Sequence, residues 1–189
     1  MPAFEHPELN SARLHLRPLA AADAQSLFTV YSDPAVMRYW SSPPWTAMSQ
    51  AEAHIAEELA GLAAGTGLAL GIERTSDHQL IGTCQYHLFH EQSRRAEIGY
   101  ALAKSARGQG FMHEALTMLI RHGFTALGLN RIEADIDPRN LSSAKCLERL
   151  GFAKEGLLRE RWIVAGEVSD SRLYGLLRRD WLAALGGQQ

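Results

Sequence analysis

The chain has 189 residues with a net charge of −2, and 46% of them are hydrophobic, which excludes a disordered protein and suits one domain with a sizeable core. No run of like charges gathers on one predicted face, which argues against a nucleic-acid partner or an acidic membrane surface. The two cysteines, Cys84 and Cys146, lie far apart in the sequence, which argues against a disulfide framework or a zinc site.

A reducing cytoplasm is the compartment that fits this cysteine usage best. Residues 1–15 lack an apolar run of signal-peptide type, and no stretch approaches about 18 apolar residues. We therefore expect a cytoplasmic protein without a membrane partner.

The chain opens with a predicted strand and a predicted helix. Leu14 and Leu16 alternate with polar residues up to Pro18, which is the pattern of a strand with one buried face. Apolar residues in 24–31 then recur at helical spacing, and Pro34 is expected to end that helix.

An aromatic loop and a second helix follow. Residues 39–45 combine two tryptophans, a tyrosine and a Pro-Pro pair, which predicts an ordered loop that either presents flat apolar surfaces or caps a core. Residues 48–62 carry an apolar stripe at helical spacing, and Ser49 with Glu52 forms a candidate capping box.

Three strands then lead to a glycine-rich turn. Residues 68–72 and 80–88 are extended runs joined by polar residues, which predicts a β-hairpin. In the next run, 96–102, the even-numbered residues face one way and Glu97 faces the other. That strand leads into the turn, residues 107–112.

The second half of the chain is predicted to contain a helix, a strand, a shorter helix and a closing hairpin, at residues 111–127, 131–137, 140–150, 152–164 and 168–177. The strand, helix, strand unit around the glycine turn favours parallel pairing of its two strands. We therefore expect one α/β domain with a mixed sheet, spanning residues 1–189.

The turn Arg107-Gly108-Gln109-Gly110-Phe111-Met112 has the composition of a phosphate site. A glycine-rich turn from a strand into a helix aims unpaired backbone N–H groups and the positive end of the helix dipole at one point. A Cβ at Gly108 or Gly110 would hold a phosphate away from the backbone, and Arg107 adds a charge-assisted contact. Taken alone, the pattern also fits an ordinary strand-to-helix turn.

Together these features resemble the GNAT superfamily of N-acetyltransferases, and most closely its RimJ/RimL-like branch. The resemblance covers nearly the whole chain, through Leu-His-Leu-Arg-Pro-Leu at 14–19, Ala-Glu-Ile-Gly-Tyr at 96–100 and Leu-Tyr-Gly-Leu-Leu at 173–177. The family's pyrophosphate motif, Q/R-x-x-G-x-G/A, matches Arg107 and Gly110 but has Met112 at its last position. This resemblance implies about seven mostly antiparallel strands, a central parallel pair splayed for CoA, and about four helices.

The resemblance also implies a set of residues that bind acetyl-CoA as a co-substrate: Tyr100, Ala101, Leu102, Arg107, Gly108, Gln109, Gly110, Phe111, Met112, Asn140 and Ser143. The main chain of Tyr100 to Leu102 would pair with pantetheine amides like an added strand. Asn140, which opens a helix ending in Gly-Phe as in the family signature, would hydrogen-bond the pantetheine arm. From the residues alone, Asn140 can equally be a helix cap.

Acetyl transfer to an amine also needs a base for the amine proton and an acid for the departing thiolate. Glu97 is the leading base, because its strand runs into the turn and a family carboxylate acts from a similar place; a solvated surface glutamate is the alternative. Glu160 is a second base candidate. The family's acid tyrosine corresponds to Leu147 here, so Ser143 becomes the catalytic candidate at the CoA sulfur, unless it only caps its helix.

We therefore expect an acetyl-CoA-dependent N-acetyltransferase that acts on a primary amine, with the N-terminal α-amine of a ribosomal protein as the acceptor suggested by the resemblance. The acceptor is expected to enter over the Trp40/Trp45 loop and the closing hairpin, with His87 and His90 as candidate lining residues. No histidine pair has metal-ligand spacing, so no metal is predicted. A small-molecule acceptor (polyamine, amino acid or aminoglycoside), a non-catalytic CoA-binding module, and a monomer or a homodimer all stay open.

Overall fold

The backbone forms an eight-stranded sheet with a helix-covered core on each face. The computed structural model describes residues 7–186; the first six residues of the N-terminal segment considered above, and residues 187–189, lie outside it. The strands are β1 (Leu9–Asn10), β2 (Leu14–Pro18), β3 (Leu68–Arg74), β4 (Gln79–His90), β5 (Arg95–Leu102), β6 (Arg131–Ile136), β7 (Ala153–Val164) and β8 (Glu167–Leu177). The helices are α1 (Ala24–Tyr31), α2 (Pro34–Met37), α3 (Met48–Ala64), α4 (Phe111–Thr125), α5 (Leu141–Arg149) and α6 (Arg178–Gly186).

The strand order is β1-β2-β3-β4-β5-β6-β8-β7, and β5 with β6 is the parallel pair of this otherwise antiparallel sheet. The crossover between β5 and β6 carries α4, as the strand, helix, strand pattern predicted. An eighth strand and two further helices exceed the expected counts, but the α/β class with a mixed sheet is confirmed.

The parallel pair separates after its first residues. β5 and β6 are in register only at Arg95–Glu97 against Arg131–Glu133. Beyond Glu97, residues 98–102 stay paired with β4 on one edge, through partners from Tyr86 to Gly82. Their other main-chain edge therefore faces a gap between β5 and β6, which is the splayed centre that the resemblance implied.

The alternation of side chains along β5 divides the apolar residues between two cores. Ala96 and Ile98 pack with α4 and α5 in the larger core, whereas Ala101 packs with α1 and α3 in the smaller one. Tyr31 of α1 reaches the sheet on the second side, where its hydroxyl lies 2.8 Å from Thr83 Oγ1. Glu97, on the same face as Ala101, is thereby directed away from the larger core.

One local prediction was incomplete and one was wrong. Helix α1 ends at Tyr31, just before Asp33 and Pro34 as predicted, but Pro34 is also the first residue of α2, where its missing N–H costs nothing and Asp33 caps the helix by accepting from the N–H of Ala35. The predicted Ser49/Glu52 capping box of α3 was wrong, since the N-cap is Ala47 and Oε1 of Gln50 accepts from the N–H groups of Thr46 and Ala47.

Besides α2, two short elements were not predicted. β1 has only two residues, which is below the length at which alternation can be recognised. α6 was missed because its residues are exposed, so that it lacks a buried apolar stripe. Within residues 7–186, no helix is long and apolar enough to cross a bilayer.

Candidate active site

A cleft of about 630 Å³ opens beside the gap between β5 and β6. Its walls come from α2 and the loop after it, from β4 and β5, from the start of α5, and from the β7–β8 hairpin. Four of the predicted site residues line it: Glu97, Tyr100, Asn140 and Ser143. The sheet thus brings together residues that are more than 40 positions apart in the sequence.

The glycine turn lies outside this cleft, at the start of α4. Gly108 and Gly110 have φ angles of 76° and 81°, in the left-handed region that favours glycine, and a Cβ on Gly108 would meet no atom within 4 Å. Within the described part of the chain, the N–H groups from Gly108 to His113 donate no hydrogen bond to a protein acceptor. These free donors at a helix N-terminus fit an anionic group such as a diphosphate.

Two arginines hold the turn in place. Arg13 donates to the main-chain oxygen of Gln109 at 3.0 Å, pairs with Glu114, and lies over the ring of Phe111. Arg107, which is predicted to contact phosphate, donates to the main-chain oxygens of Leu102 and Ala35 at 3.3 and 3.4 Å. Arg13 was missed by the sequence reasoning because nothing in its local sequence indicates that it contacts a turn almost 100 residues later.

Ser143 and Tyr100 form a hydrogen-bonded pair of hydroxyls in the wall of the cleft. Their oxygen atoms are 2.6 Å apart, and Ser143 is 7% exposed. Burial raises the pKa of Tyr100 well above its usual value, and the bond with Ser143 opposes only part of that shift. Leu147, which occupies the position of the family's acid tyrosine, is fully buried in the larger core.

Asn140 is the N-cap of α5. Its Oδ1 accepts from the N–H of Ser143 at 3.1 Å and from the hydroxyl of Ser142 at 2.9 Å. The capping role is therefore present. Asn140 also lines the cleft, and among the described residues its amide nitrogen makes no hydrogen bond. The same cap fixes the main chain of Ser143, so it sets the position of the neighbouring hydroxyl pair.

Glu97 lies beside His87 in the cleft. The two residues are directly opposite one another in the β4–β5 ladder, and His87 Nε2 lies 3.5 Å from Glu97 Oε1. Both line the cleft, and His87 Nδ1 is buried without a hydrogen-bond partner among the described residues. His90 lies outside the cleft, and a register shift in the ladder separates it from His87.

Glu160, the second base candidate, lies in an irregular part of the β7–β8 hairpin. Its φ is 51°, the register shifts between Leu158 and Trp162, and the residue is exposed. The hairpin contributes Arg161 and Trp162 to the cleft lining rather than Glu160. The sequence could not locate this shift, because a bulge moves side chains from one face to the other without a change in hydrophobic pattern.

The part of the cleft lined by β6 and the β7–β8 hairpin carries carboxylates that are already paired with arginines. Asp135 Oδ2 accepts from Arg161 Nε at 3.0 Å. Arg139 pairs with both Asp137 and Glu167. Burial raises the pKa of Asp137, but the hydrogen bonds from Arg139 outweigh this effect and hold the pKa below its usual value. The negative charges of Asp135, Asp137 and Glu167 are therefore compensated by neighbouring arginines.

The aromatic loop, residues 39–45, fills both roles that the sequence left open: it caps a core and it presents an aromatic surface. Trp45 stacks on Tyr31 with ring centroids 4.6 Å apart, and Trp40 meets the same ring edge-on at 5.3 Å, so the loop caps the smaller core. Trp40 also lines the cleft, whereas Trp45 does not. Among residues 7–186, no group of three or more metal-ligating side chains comes together.

Comparison with known proteins agrees with this geometry. The family model described as "Acetyltransferase (GNAT) domain" matches residues 13–153. The chain is 38% identical over 175 residues to the uncharacterized N-acetyltransferase p20 of Bacillus licheniformis, covering 92% of this chain and 97% of that protein. It is 30% identical over 118 residues to the [ribosomal protein uS5]-alanine N-acetyltransferase of Escherichia coli, covering 62% of this chain and 61% of the relative.

A solved structure named "Probable acetyltransferase" superposes with a TM-score of 0.84 at 29% identity, covering 93% of this chain and 99% of that one. The splayed parallel pair, the glycine turn at the start of α4 and the sequence relatives therefore lead to one conclusion. The chain belongs to the GNAT family of N-acetyltransferases, and it is similar to the RimJ-like ribosomal-protein acetyltransferases within it.

Proposed function

We propose that this N-acetyltransferase transfers the acetyl group of acetyl-CoA to the N-terminal α-amine of a protein. The observation that carries the proposal is the unpaired edge of β5 after Glu97, which opens on the cleft where Glu97, Tyr100 and Ser143 lie. The donor thioester and the acceptor amine would meet at this opening.

On the donor side, the free N–H groups from Gly108 to His113 would hold the diphosphate of acetyl-CoA. The pantetheine arm would then pass along the unpaired main-chain edge of residues 98–102, like an added strand. Asn140, at the start of α5, is in the cleft wall that this arm would reach.

On the acceptor side, Glu97 with His87 would take the proton of the amine. An α-amine has a pKa of about 7.7–8.0, against about 10.4 for a lysine, so a sizeable fraction is already neutral near pH 7.5. One carboxylate beside an imidazole is therefore sufficient machinery for an α-amine. Gly99, two residues after Glu97 on the same face, lies close to His87, since a Cβ there would be 3.5 Å from the imidazole ring.

The shape and charge of the cleft favour a peptide over a polyamine. Its outer wall is formed by Tyr39, Trp40 and Trp162, and its carboxylates Asp135 and Asp137 are paired with Arg161 and Arg139. Similarity to the uS5-alanine N-acetyltransferase of E. coli gives independent support.

The test is an acceptor panel with release of free CoA as the readout and product mass as the check. The panel contains a peptide with a free N-terminal alanine, the same peptide with a blocked N-terminus and an internal lysine, spermidine, and free amino acids. We expect turnover of the unblocked peptide alone. Faster turnover of spermidine or an amino acid would show that the acceptor is a small molecule. CoA binding without turnover of any amine would show that the protein binds CoA but is not an enzyme for these acceptors.

A further inference from the structure

The hydroxyl pair of Tyr100 and Ser143 stands out as a polar contact inside the cleft. Their oxygen atoms are 2.6 Å apart, and both residues line the cleft beside the gap between β5 and β6. Tyr100 reaches this position from the sheet and Ser143 from the first turn of α5. The contact joins the two elements on either side of the path proposed for the pantetheine arm.

The departing thiolate needs a proton at this place. When the amine nitrogen bonds to the acetyl carbon and the C–S bond breaks, the sulfur carries the electron pair and must be protonated to leave as a thiol. A serine hydroxyl alone is a poor proton source, because the alkoxide that it would leave behind needs immediate reprotonation. A second hydroxyl in hydrogen-bond contact supplies that proton.

We infer that Tyr100 acts through Ser143 as the second member of a proton relay: Tyr100 Oη–H donates to Ser143 Oγ while Ser143, the acid candidate that the resemblance implies, donates its own proton to the CoA sulfur. The inference rests on the acetyl transfer proposed above. As the C–S bond breaks, the serine proton passes to sulfur and the tyrosine proton passes to the serine. Solvent in the cleft then returns a proton to Tyr100, which balances the proton that the amine releases on the Glu97 side.

Two further features agree with this assignment. The N–H of Ser143 donates to Asn140 Oδ1, which fixes the serine at the start of α5. Leu147, at the position of the family's acid tyrosine, has a hydrocarbon side chain with no proton to donate and is buried in the larger core. Ser143 thus keeps the acid role that the resemblance implies, and Tyr100 is a positioning residue that acts through it.

A purely structural contact would have a different consequence. The Tyr100–Ser143 bond could fasten α5 onto β5, in which case its loss would lower stability and CoA affinity without a specific effect on turnover. Tyr86 offers a matched control: it lies on the neighbouring strand, is 1% exposed, and donates to the main-chain oxygen of Leu119 at 3.1 Å. Tyr86→Phe therefore removes a buried tyrosine hydrogen bond away from the cleft.

The experiment measures kcat, KM for the acceptor, the CoA dissociation constant and Tm for Tyr100→Phe, Ser143→Ala, the double variant, Ser143→Thr and Tyr86→Phe. We expect kcat to fall about tenfold or more in Tyr100→Phe and Ser143→Ala, with the CoA dissociation constant within about twofold of wild type. The double variant should lose no more than the worse single variant, because the two groups act as a unit. Ser143→Thr, which keeps a hydroxyl, should recover part of the rate, and Tyr86→Phe should keep kcat.

Three results would overturn the inference: wild-type kcat in Tyr100→Phe, losses that multiply in the double variant, or a loss in Tyr86→Phe as large as in Tyr100→Phe. These results differ from a failure of the proposed function. That failure would be seen in the wild-type enzyme, which would release no CoA with any amine of the panel.

Discussion

At the scale of single residues, the surroundings of Glu97, the carboxylate proposed as the base, can be compared with those of its neighbour on β6. Glu97 lies in the cleft, at the point where β5 and β6 separate, and His87 is its partner across the ladder. Glu133, its register partner on β6, is instead held by Arg95 and Arg131 and is outside the cleft. Two glutamates at the same height of neighbouring strands thus differ in whether they can reach a substrate.

This difference gives a test of the base. Glu97→Gln keeps the shape of the side chain but removes its ability to accept a proton, so kcat should fall about 100-fold and its dependence on pH should change. The CoA dissociation constant should stay near that of wild type, because Glu97 lies on the acceptor side. Glu133→Gln is the matched control and should keep turnover. If Glu97→Gln turned over at the wild-type rate with an unaltered pH–rate profile, a group other than Glu97 would have to take the amine proton.

The residue scale also shows what sequence could and could not supply. Glu97, Asn140 and Ser143 could be placed near the site because each follows or opens a recognisable element. The contact between Ser143 and Tyr100, and the support that Arg13 gives to Gln109, join residues 43 and 96 positions apart. Such contacts depend on how strands and helices pack in three dimensions, which the local pattern does not encode.

At the scale of elements, long amphipathic helices and alternating strands were predictable because a buried stripe or face repeats over many residues. The errors fall where no such repeat exists. The two-residue β1, the exposed α6, and the bulge near Glu160 each lack a hydrophobic period that would reveal them. The prediction at Pro34 included the end of α1 but not the start of α2, because proline is common in the first turn of a helix as well as after the end of one.

Helix α5 is the element in which fold and function are hardest to separate, because Asn140 serves as its cap and is also the proposed pantetheine ligand. Two substitutions separate the roles. Asn140→Ser should keep the cap and wild-type stability, whereas Asn140→Ala should lower the free energy of unfolding by about 1 kcal/mol. Both remove the side-chain amide, so both should weaken CoA binding by about 2–13-fold if the amide contacts pantetheine.

Denaturant unfolding and calorimetric titration with CoA measure the two effects independently. Wild-type CoA affinity in Asn140→Ser would show that Asn140 is only a cap. Weakened binding in Asn140→Ala alone would trace the effect to a displaced helix rather than to a lost contact.

At the scale of the whole molecule, the sheet consists of two parts that are joined by one short parallel ladder. Strands β1 to β5 and strands β6, β8 and β7 are each joined by antiparallel ladders, but the parts meet through β5 and β6 only at Arg95–Glu97. A ligand in the gap beyond this ladder would supply main-chain contacts that residues 98–102 lack on the edge facing β6. Binding of CoA should therefore stabilise the fold as a whole.

Saturation with CoA at about 100 times its dissociation constant contributes about 2.7 kcal/mol, which corresponds to a rise in Tm of roughly 5–11 °C for a chain of this size. Gly110→Asp should abolish that rise, because a carboxylate at the N-terminus of α4 repels the diphosphate. Gly128→Asp is its control: Gly128 also has a positive φ, of 65°, and a Cβ there meets no atom within 4 Å. Both variants place a side chain at a positive φ and therefore have similar backbone strain, but only Gly110→Asp should lose the response to CoA.

Hydrogen exchange locates the stabilisation. On addition of CoA to the wild-type enzyme, protection should increase in the turn at 108–113, whose N–H groups are free, and in those N–H groups of residues 98–102 that face the gap rather than β4. An equal rise in Tm for Gly110→Asp would contradict the diphosphate site, and a rise without new protection in residues 98–102 would move the pantetheine arm out of the gap. Because the turn and the strand edge belong to different elements, the two signals test the two halves of the CoA path separately.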